Sequence, residues 1–203
     1  MSDVKVHLGG EGKNELGSCA LAEPYQSADI PGVVETLLRR VEPAGWTVAG
    51  ATPWKSIRKF SARGPMSAEE RNVRGLVEKA AGLGIPVVAF VRDSDGEPDR
   101  IVEIDAAIAK AAVDFPAVQV IGGTANPVLE GWILALQGVH GTEKLGKARA
   151  QTQLNFDKNT EAMTQVASTA DLERLPKDAS SLNGWMKRAA EVLTPLVRHT
   201  ESP

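Results

Sequence analysis

The stretch Ile85-Pro86-Val87-Val88-Ala89-Phe90-Val91-Arg92-Asp93-Ser94-Asp95-Gly96 decides the fold. Its first seven residues are all apolar, where a strand with one wet face would alternate. Such a run reads as a strand covered on both faces, the habit of a parallel sheet between two layers of helices. Pro86 stands at its start, where a missing N–H is tolerated. The strand then ends in an acidic tip: two aspartates, a serine between them, and a glycine that lets the chain turn away.

The segments on either side alternate in the same sense. Toward the N-terminus, Ser67 suits the cap of a helix with Glu69 and Glu70 in its first turn and Gly82 and Gly84 at its end. Before it, Trp46 to Gly50 reads as a strand, and Pro31 to Val41 has helical spacing of Val33, Val34, Leu37, Leu38 and Val41. Val4-Lys5-Val6-His7-Leu8 reads as the first strand. Toward the C-terminus, Arg100 to Val113 is an Ala- and Ile-rich helix and Ala117 to Ile121 a fourth strand. Asn126-Pro127 then opens a helix through Leu136, with proline in its first turn. The order predicts an α/β fold, a parallel sheet of about four strands flanked by helices.

Beyond Gly138 the pattern changes. Thr142 to Ala150 is polar and rich in Ala and Lys. Ser180 to Val197 is amphipathic, with Leu182, Trp185, Met186, Ala189, Val192 and Leu193 at helical spacing. The expected organisation is a catalytic domain over residues 1–138 and a helical C-terminal extension, 139–203, packed on it. No repeat or low-complexity segment interrupts this.

Composition bounds the function. The 203 residues, 42% hydrophobic and 24% charged, are typical of a globular protein. No apolar run approaches the ~20 residues that span a bilayer, and no secretory signal is visible. Cys19 alone excludes an intramolecular disulfide and a cysteine zinc site; it reads as a small packed residue. The expected location is the cytoplasm, with no membrane partner. A net charge of −3 means that a nucleic-acid partner needs a local basic patch.

A second acidic tip, Gly9-Gly10-Glu11-Gly12-Lys13-Asn14-Glu15, follows the first strand. If the first and third strands are neighbours, Glu11, Glu15, Asp93 and Asp95 meet at the carboxyl edge, where open parallel sheets bind ligands. Four converging acids repel one another unless a divalent cation lies among them. Mg²⁺ or Mn²⁺ suits such a site, held by one or two carboxylates, waters and phosphate oxygens. Gly9, Gly10 and Gly12 leave room for a phosphate backbone, and Lys13 adds a cation. Glu130, one turn into the helix after the fourth strand, is a further ligand or water-holder. Two metals roughly 4 Å apart would clamp the attacking and leaving oxygens of a phosphodiester. Glu15 and Glu130 also suit ordinary first-turn helix positions.

The segment Trp54-Lys55-Ser56-Ile57-Arg58-Lys59-Phe60-Ser61-Ala62-Arg63 is the best nucleic-acid track. Lys55, Arg58, Lys59 and Arg63 would meet phosphates, with Arg71 and Arg74 beyond and stacking on Trp54 or Phe60. The competing reading tucks both aromatics into the core. His7, His140 and His199 lack ligand spacing and read as structural or surface residues. Trp132 and Trp185 read as core anchors.

The pairing of a strand followed by Glu-Gly-Lys-x-x-Glu with a later strand followed by Asp-x-Asp-Gly resembles the Toprim domain of topoisomerases, bacterial primases, recombination proteins and overcoming-lysogenization-defect nucleases. Asn126-Pro127-Val128-Leu129-Glu130-Gly131-Trp132-Ile133-Leu134-Ala135 is similar to the Pro-x-x-Glu-x-Trp-Leu-Leu-Ala segment of small stand-alone Toprim-like proteins linked to prokaryotic defence. The resemblance covers roughly residues 3 to 137. It implies that Glu11 is a general acid/base or metal ligand and that Asp93 and Asp95 bind Mg²⁺ or Mn²⁺. It also implies that a further acid, Glu15 or Glu130, helps bind a second metal. A partner protein such as an ATPase fits the defence setting. Tyr25, the one tyrosine, falls in the loop after the first strand and speaks against a topoisomerase. The helical extension has no counterpart role.

Three other readings fail. The glycine loop is no Walker motif, since Lys13 is followed by Asn14 and the glycine spacing is wrong. Asp93-Ser94-Asp95-Gly96 is no calcium loop, because its glycine comes too early and the twelfth position is Ile104. A haloacid dehalogenase would carry its aspartate pair after the first strand. The expected function is therefore a metal-dependent nuclease. The alternative is a non-catalytic Toprim-like module that binds nucleic acid or a partner protein. A site filled by metal would favour the first, and a lysine-plugged site the second.

Overall fold

The computed structural model describes residues 3–20, 30–154 and 159–201; Tyr25 and the Cys19 side chain lie outside the described set. The chain runs β1 (Val4–Gly10), α1 (Lys13–Leu16), α2 (Val33–Val41), β2 (Trp46–Pro53), α3 (Ala68–Gly82), β3 (Val87–Phe90), β4 (Arg92–Asp93) and α4 (Pro98–Asp114). It continues through β5 (Gln119–Ile121), β6 (Thr124–Ala125), α5 (Leu129–Leu136), α6 (Lys147–Gln153), α7 (Thr160–Thr169) and α8 (Ser180–Glu201).

Four strands form one parallel sheet in the order β2-β1-β3-β5. The chain steps from β1 to β2 on one side, then crosses back over β1 to β3 on the other. Right-handed crossovers therefore place α2 on one face and α3 and α4 on the opposite face. The alternation of side chains agrees. Val6, Leu8, Val87 and Ala89 face a core shared with α2, α5, α7 and α8. Val88, Phe90 and Val120 face α3 and α4. The successive apolar residues of β3 thus serve two cores at once, as the sequence predicts.

On the α3 face, β1 approaches its cover closely. A Cβ on Gly9 would lie 2.5 Å from a Leu76 methyl carbon and 3.1 Å from the Phe90 Cβ. His7 is buried beside it, its Nε2 paired with Thr52 Oγ1 at 2.8 Å, while Lys79 Nζ donates to the same hydroxyl at 3.0 Å. Burial first, and Lys79 second, lower the His7 pKa to about 4. This is the structural histidine expected from the sequence.

Ser67 caps α3 by accepting the Glu70 N–H at 3.1 Å. The α5 boundary corrects the sequence reading. Pro127 is not in the first turn of the helix: Asn126-Pro127 is a cis peptide, Val128 is the N-cap, and α5 begins at Leu129. The residues before α5 have another task. Arg92 and Asp93 pair in parallel with Thr124 and Ala125. Asp95 N–H then donates to Pro127 O at 2.9 Å, and the Ser94 hydroxyl reaches Asn126 Oδ1 and Pro127 O. The two strand tips are bound to each other, so helical geometry starts late.

The C-terminal helices complete the core. Leu182, Trp185, Ala189, Leu193 and Val197 are buried along α8, as its amphipathic spacing predicts. Trp185 Nε1 donates to Phe90 O at 3.0 Å and its ring packs on Trp132, centroids 5.9 Å apart; both tryptophans are core anchors. Helix α7 was not legible from its polar sequence. Only Met163, Thr160, Thr164 and Ala167 are buried in it, and Arg40 of α2 secures its end by donating to Ala167 O, Ser168 O and Ala170 O. No helix among the described residues is long and apolar enough to cross a membrane.

Candidate active site

The strand order reverses between β1 and β3, so the crevice at their carboxyl ends is where a doubly wound sheet opens to a ligand. Both acidic tips leave the sheet there. Glu11 and Glu15 follow β1, Asp93 and Asp95 follow β3, and Glu130 enters from α5. The parallel topology also delivers the starts of α3 and α4 to this edge, and with them Glu69 and Arg100.

The acids fall into two groups. In the first, Asp93 is buried, and one carboxylate oxygen accepts the Leu129 N–H at 2.8 Å, which caps α5 from a distance. Its pKa is pushed up to about 7, chiefly by desolvation, with the charges of Glu15, Glu130 and Asp95 adding to the rise. Glu15 is buried too. Its Oε2 accepts the Gly12 N–H at 2.8 Å, and burial, aided by Glu130, raises its pKa. Glu130 is buried, and its Oε1 accepts from Gln151 Nε2 at 3.0 Å. Among the described residues, no cation pairs directly with Asp93, Glu15 or Glu130; Lys147 acts on Asp93 and Glu130, and Arg92 on Asp93, through space only.

The second group is already neutralised. Glu11 accepts the Asp93 N–H at 3.2 Å and pairs with the Arg92 guanidinium. Arg92 also meets Glu69, which accepts from Trp54 Nε1 and from Arg100. Arg100 continues to Asp95 at 2.6 Å, and Lys147 of α6 reaches the other Asp95 oxygen at 2.5 Å. Asp95 sits in the left-handed region at φ 53°, and each of its oxygens meets one of these cations. Desolvation opposes them, but Lys147 and Arg100 hold its carboxyl below the usual value.

The structure therefore brings all five predicted acids to one edge and redistributes their weight. Glu15 and Glu130, read as supporting residues, join Asp93 in the cluster that makes no direct ion pair. Among the described residues, no three carboxylates or imidazoles are arranged as a ready metal cage. The donor chemistry nonetheless fits a hard cation: all donors are carboxylate oxygens, and burial, with the neighbouring carboxylates adding to it, keeps the Asp93 proton on until near neutral pH.

Sequence reasoning missed Arg92, Glu69, Arg100, Lys147 and Gln151. Arg92 was in view, adjacent to Asp93, and Glu69 was read only as a first-turn acid. Lys147 and Gln151 carried no signal, since they lie beyond the alternating pattern.

Lys13, Lys55, Arg58, Lys59 and Arg63 are all exposed. The last four leave β2 at its carboxyl end, beside Gly10, which pairs with Pro53. The stacking expectation is corrected. Trp54 is buried against Phe90 and hydrogen-bonded to Glu69, and Phe60 lies between the Arg74 guanidinium and Phe115. Arg74 is bound internally to Glu70 and Asp114. The loop offers cations without an aromatic platform.

Comparison with protein-family models, with curated proteins and with solved structures returns no match.

Proposed function

We propose that the chain is a Mg²⁺- or Mn²⁺-dependent phosphodiesterase of Toprim type, a nuclease acting on DNA or RNA in a prokaryotic defence or DNA-processing setting. One observation carries the reading: Asp93, Glu15 and Glu130 are buried together at the strand-order switch and, among the described residues, none is paired directly with a cation. Asp93, Glu15, Glu130 and Asp95 would hold the ion. When bound, it would supply Lewis-acid stabilisation of charge on a phosphoryl oxygen. Glu11, partly exposed at the rim beside Arg92, would move a proton to or from a nucleic-acid oxygen. Lys13, Lys55, Arg58, Lys59 and Arg63 would take the phosphate backbone. With Trp54 buried and the Phe60 ring engaged by Arg74 and Phe115, binding would read charge and shape rather than base faces.

The test is cleavage of single- and double-stranded DNA and RNA with Mn²⁺ or Mg²⁺, using wild type, Asp93→Ala and Glu11→Ala. Cutting should require metal and fall in both variants; activity that survives EDTA or both substitutions refutes the proposal. The second reading, a non-catalytic module for nucleic acid or for a partner such as an ATPase, is favoured by the ion pairs that already occupy Glu11 and Asp95. Metal-independent nucleic-acid binding without cleavage would establish it.

A further inference from the structure

We propose that α6 is an autoinhibitory strap whose Lys147 ammonium holds the position at Asp95 that a divalent ion would take. The inference rests on the metal reading above and adds its regulation. Residues 147, 150, 151 and 154 follow one another at helical spacing, so they share one side of this short segment. Ala150 and Leu154 are buried in the core beneath α5, and this seats the segment. The same side then carries Lys147 onto Asp95 Oδ1 at 2.5 Å and Gln151 onto Glu130 Oε1 at 3.0 Å. The extension thereby touches two of the five acids, one from the β3 tip and one from α5. It touches them with a cation and an amide donor, the chemistry that answers carboxylates.

The strap is built to yield. A helix of seven residues does not sustain itself in water. Its N-cap, Gly146, supplies no side-chain acceptor. The Lys147 and Asp95 side chains are 49% and 27% exposed, so solvent weakens their attraction. A divalent ion brings twice the charge to the same carboxylates. Metal and strap therefore compete, and release of α6 would uncover the acids as the metal enters.

The experiment is Mn²⁺ titration by calorimetry on the full chain, comparing wild type with Lys147→Met and Lys147→Gln. Lys5→Met, near the other end of β1, controls for net charge. Both Lys147 variants should bind Mn²⁺ about threefold to fivefold more tightly, the range expected for losing a half-exposed ion pair, and the control should match wild type. Hydrogen exchange of residues 147–154 in wild type should quicken when Mn²⁺ is added. Equal or weaker affinity in the Lys147 variants, or unchanged exchange, overturns the strap and leaves the metal site standing. Failure of wild type and variants alike to bind Mn²⁺ overturns the metal reading and the strap with it.

Discussion

Asp93→Asn should stabilise the protein at pH 8 in EDTA and lose that advantage in acid. The Asp93 pKa is raised from 3.8 to about 7 by burial and by Glu15, Glu130 and Asp95. A carboxyl with a raised folded pKa contributes its stability below the unfolded value and loses it as the pH climbs through the folded one. The gap of about 3 units corresponds to roughly 4 kcal/mol at 1.36 kcal/mol per unit, all of it lost above pH 7. Asparagine keeps an oxygen for the Leu129 N–H but forgoes the charge on that hydrogen bond, a cost of about 1 kcal/mol. The net gain is about 2–3 kcal/mol at pH 8, or roughly 5–10 °C in Tm for a chain of this size. Below pH 4 the two proteins should be equal to within about 1 kcal/mol, because wild-type Asp93 is then neutral. Urea denaturation from pH 4 to 8 measures the difference directly, and His7, common to both proteins, cancels. Millimolar Mn²⁺ should reverse the order at pH 8 by stabilising wild type alone. A pH-independent difference, or a variant less stable than wild type at pH 8 in EDTA, refutes the claim that burial in this cluster raises the Asp93 pKa.

Three other perturbations test separate parts of the structure. Replacing Lys55, Arg58, Lys59 and Arg63 together by alanine should lower the slope of log affinity against log salt by about 3–4, if each meets one phosphate, as read by fluorescence anisotropy on labelled DNA and RNA. Fold stability should barely change, because all four side chains are exposed. Gly32→Ala would put a Cβ 2.1 Å from Glu15 O; the backbones must part, costing about 2 kcal/mol or more in chemical denaturation and displacing Glu15. Trp185→Phe would leave Phe90 O without its indole donor, so about 1–3 kcal/mol should be lost in the same assay. No loss would detach α8 from the core.

Much of the fold was legible because burial writes itself into local pattern. The unbroken apolar run of β3 announced two covered faces, and the 3.6-residue spacing of α2 and α8 named their buried sides. Ser67 signalled a cap by a purely local hydrogen bond. The start of α5 was misread because what delays it is not local: Pro127 O and Asn126 are engaged by the Ser94–Asp95 loop, over thirty residues away. Helix α7 escaped notice because its partners, Arg40 and the core beneath α2, hold a sequence with little apolar periodicity of its own.

The candidate site divides along the same line. That acids end two strands is a fact of the sequence, and parallel topology follows from the alternation of strands and helices. Which acids share a field is decided by strand order, since the β1–β3 neighbourhood alone brings Glu15 beside Asp93. Which acids are already answered is decided by side chains from distant segments: Arg100 from α4, and Lys147 and Gln151 from α6. Charge acts through space and depends on burial. The sequence by itself determined the acids at the strand ends, and only the tertiary structure decided which of them are paired directly with a cation.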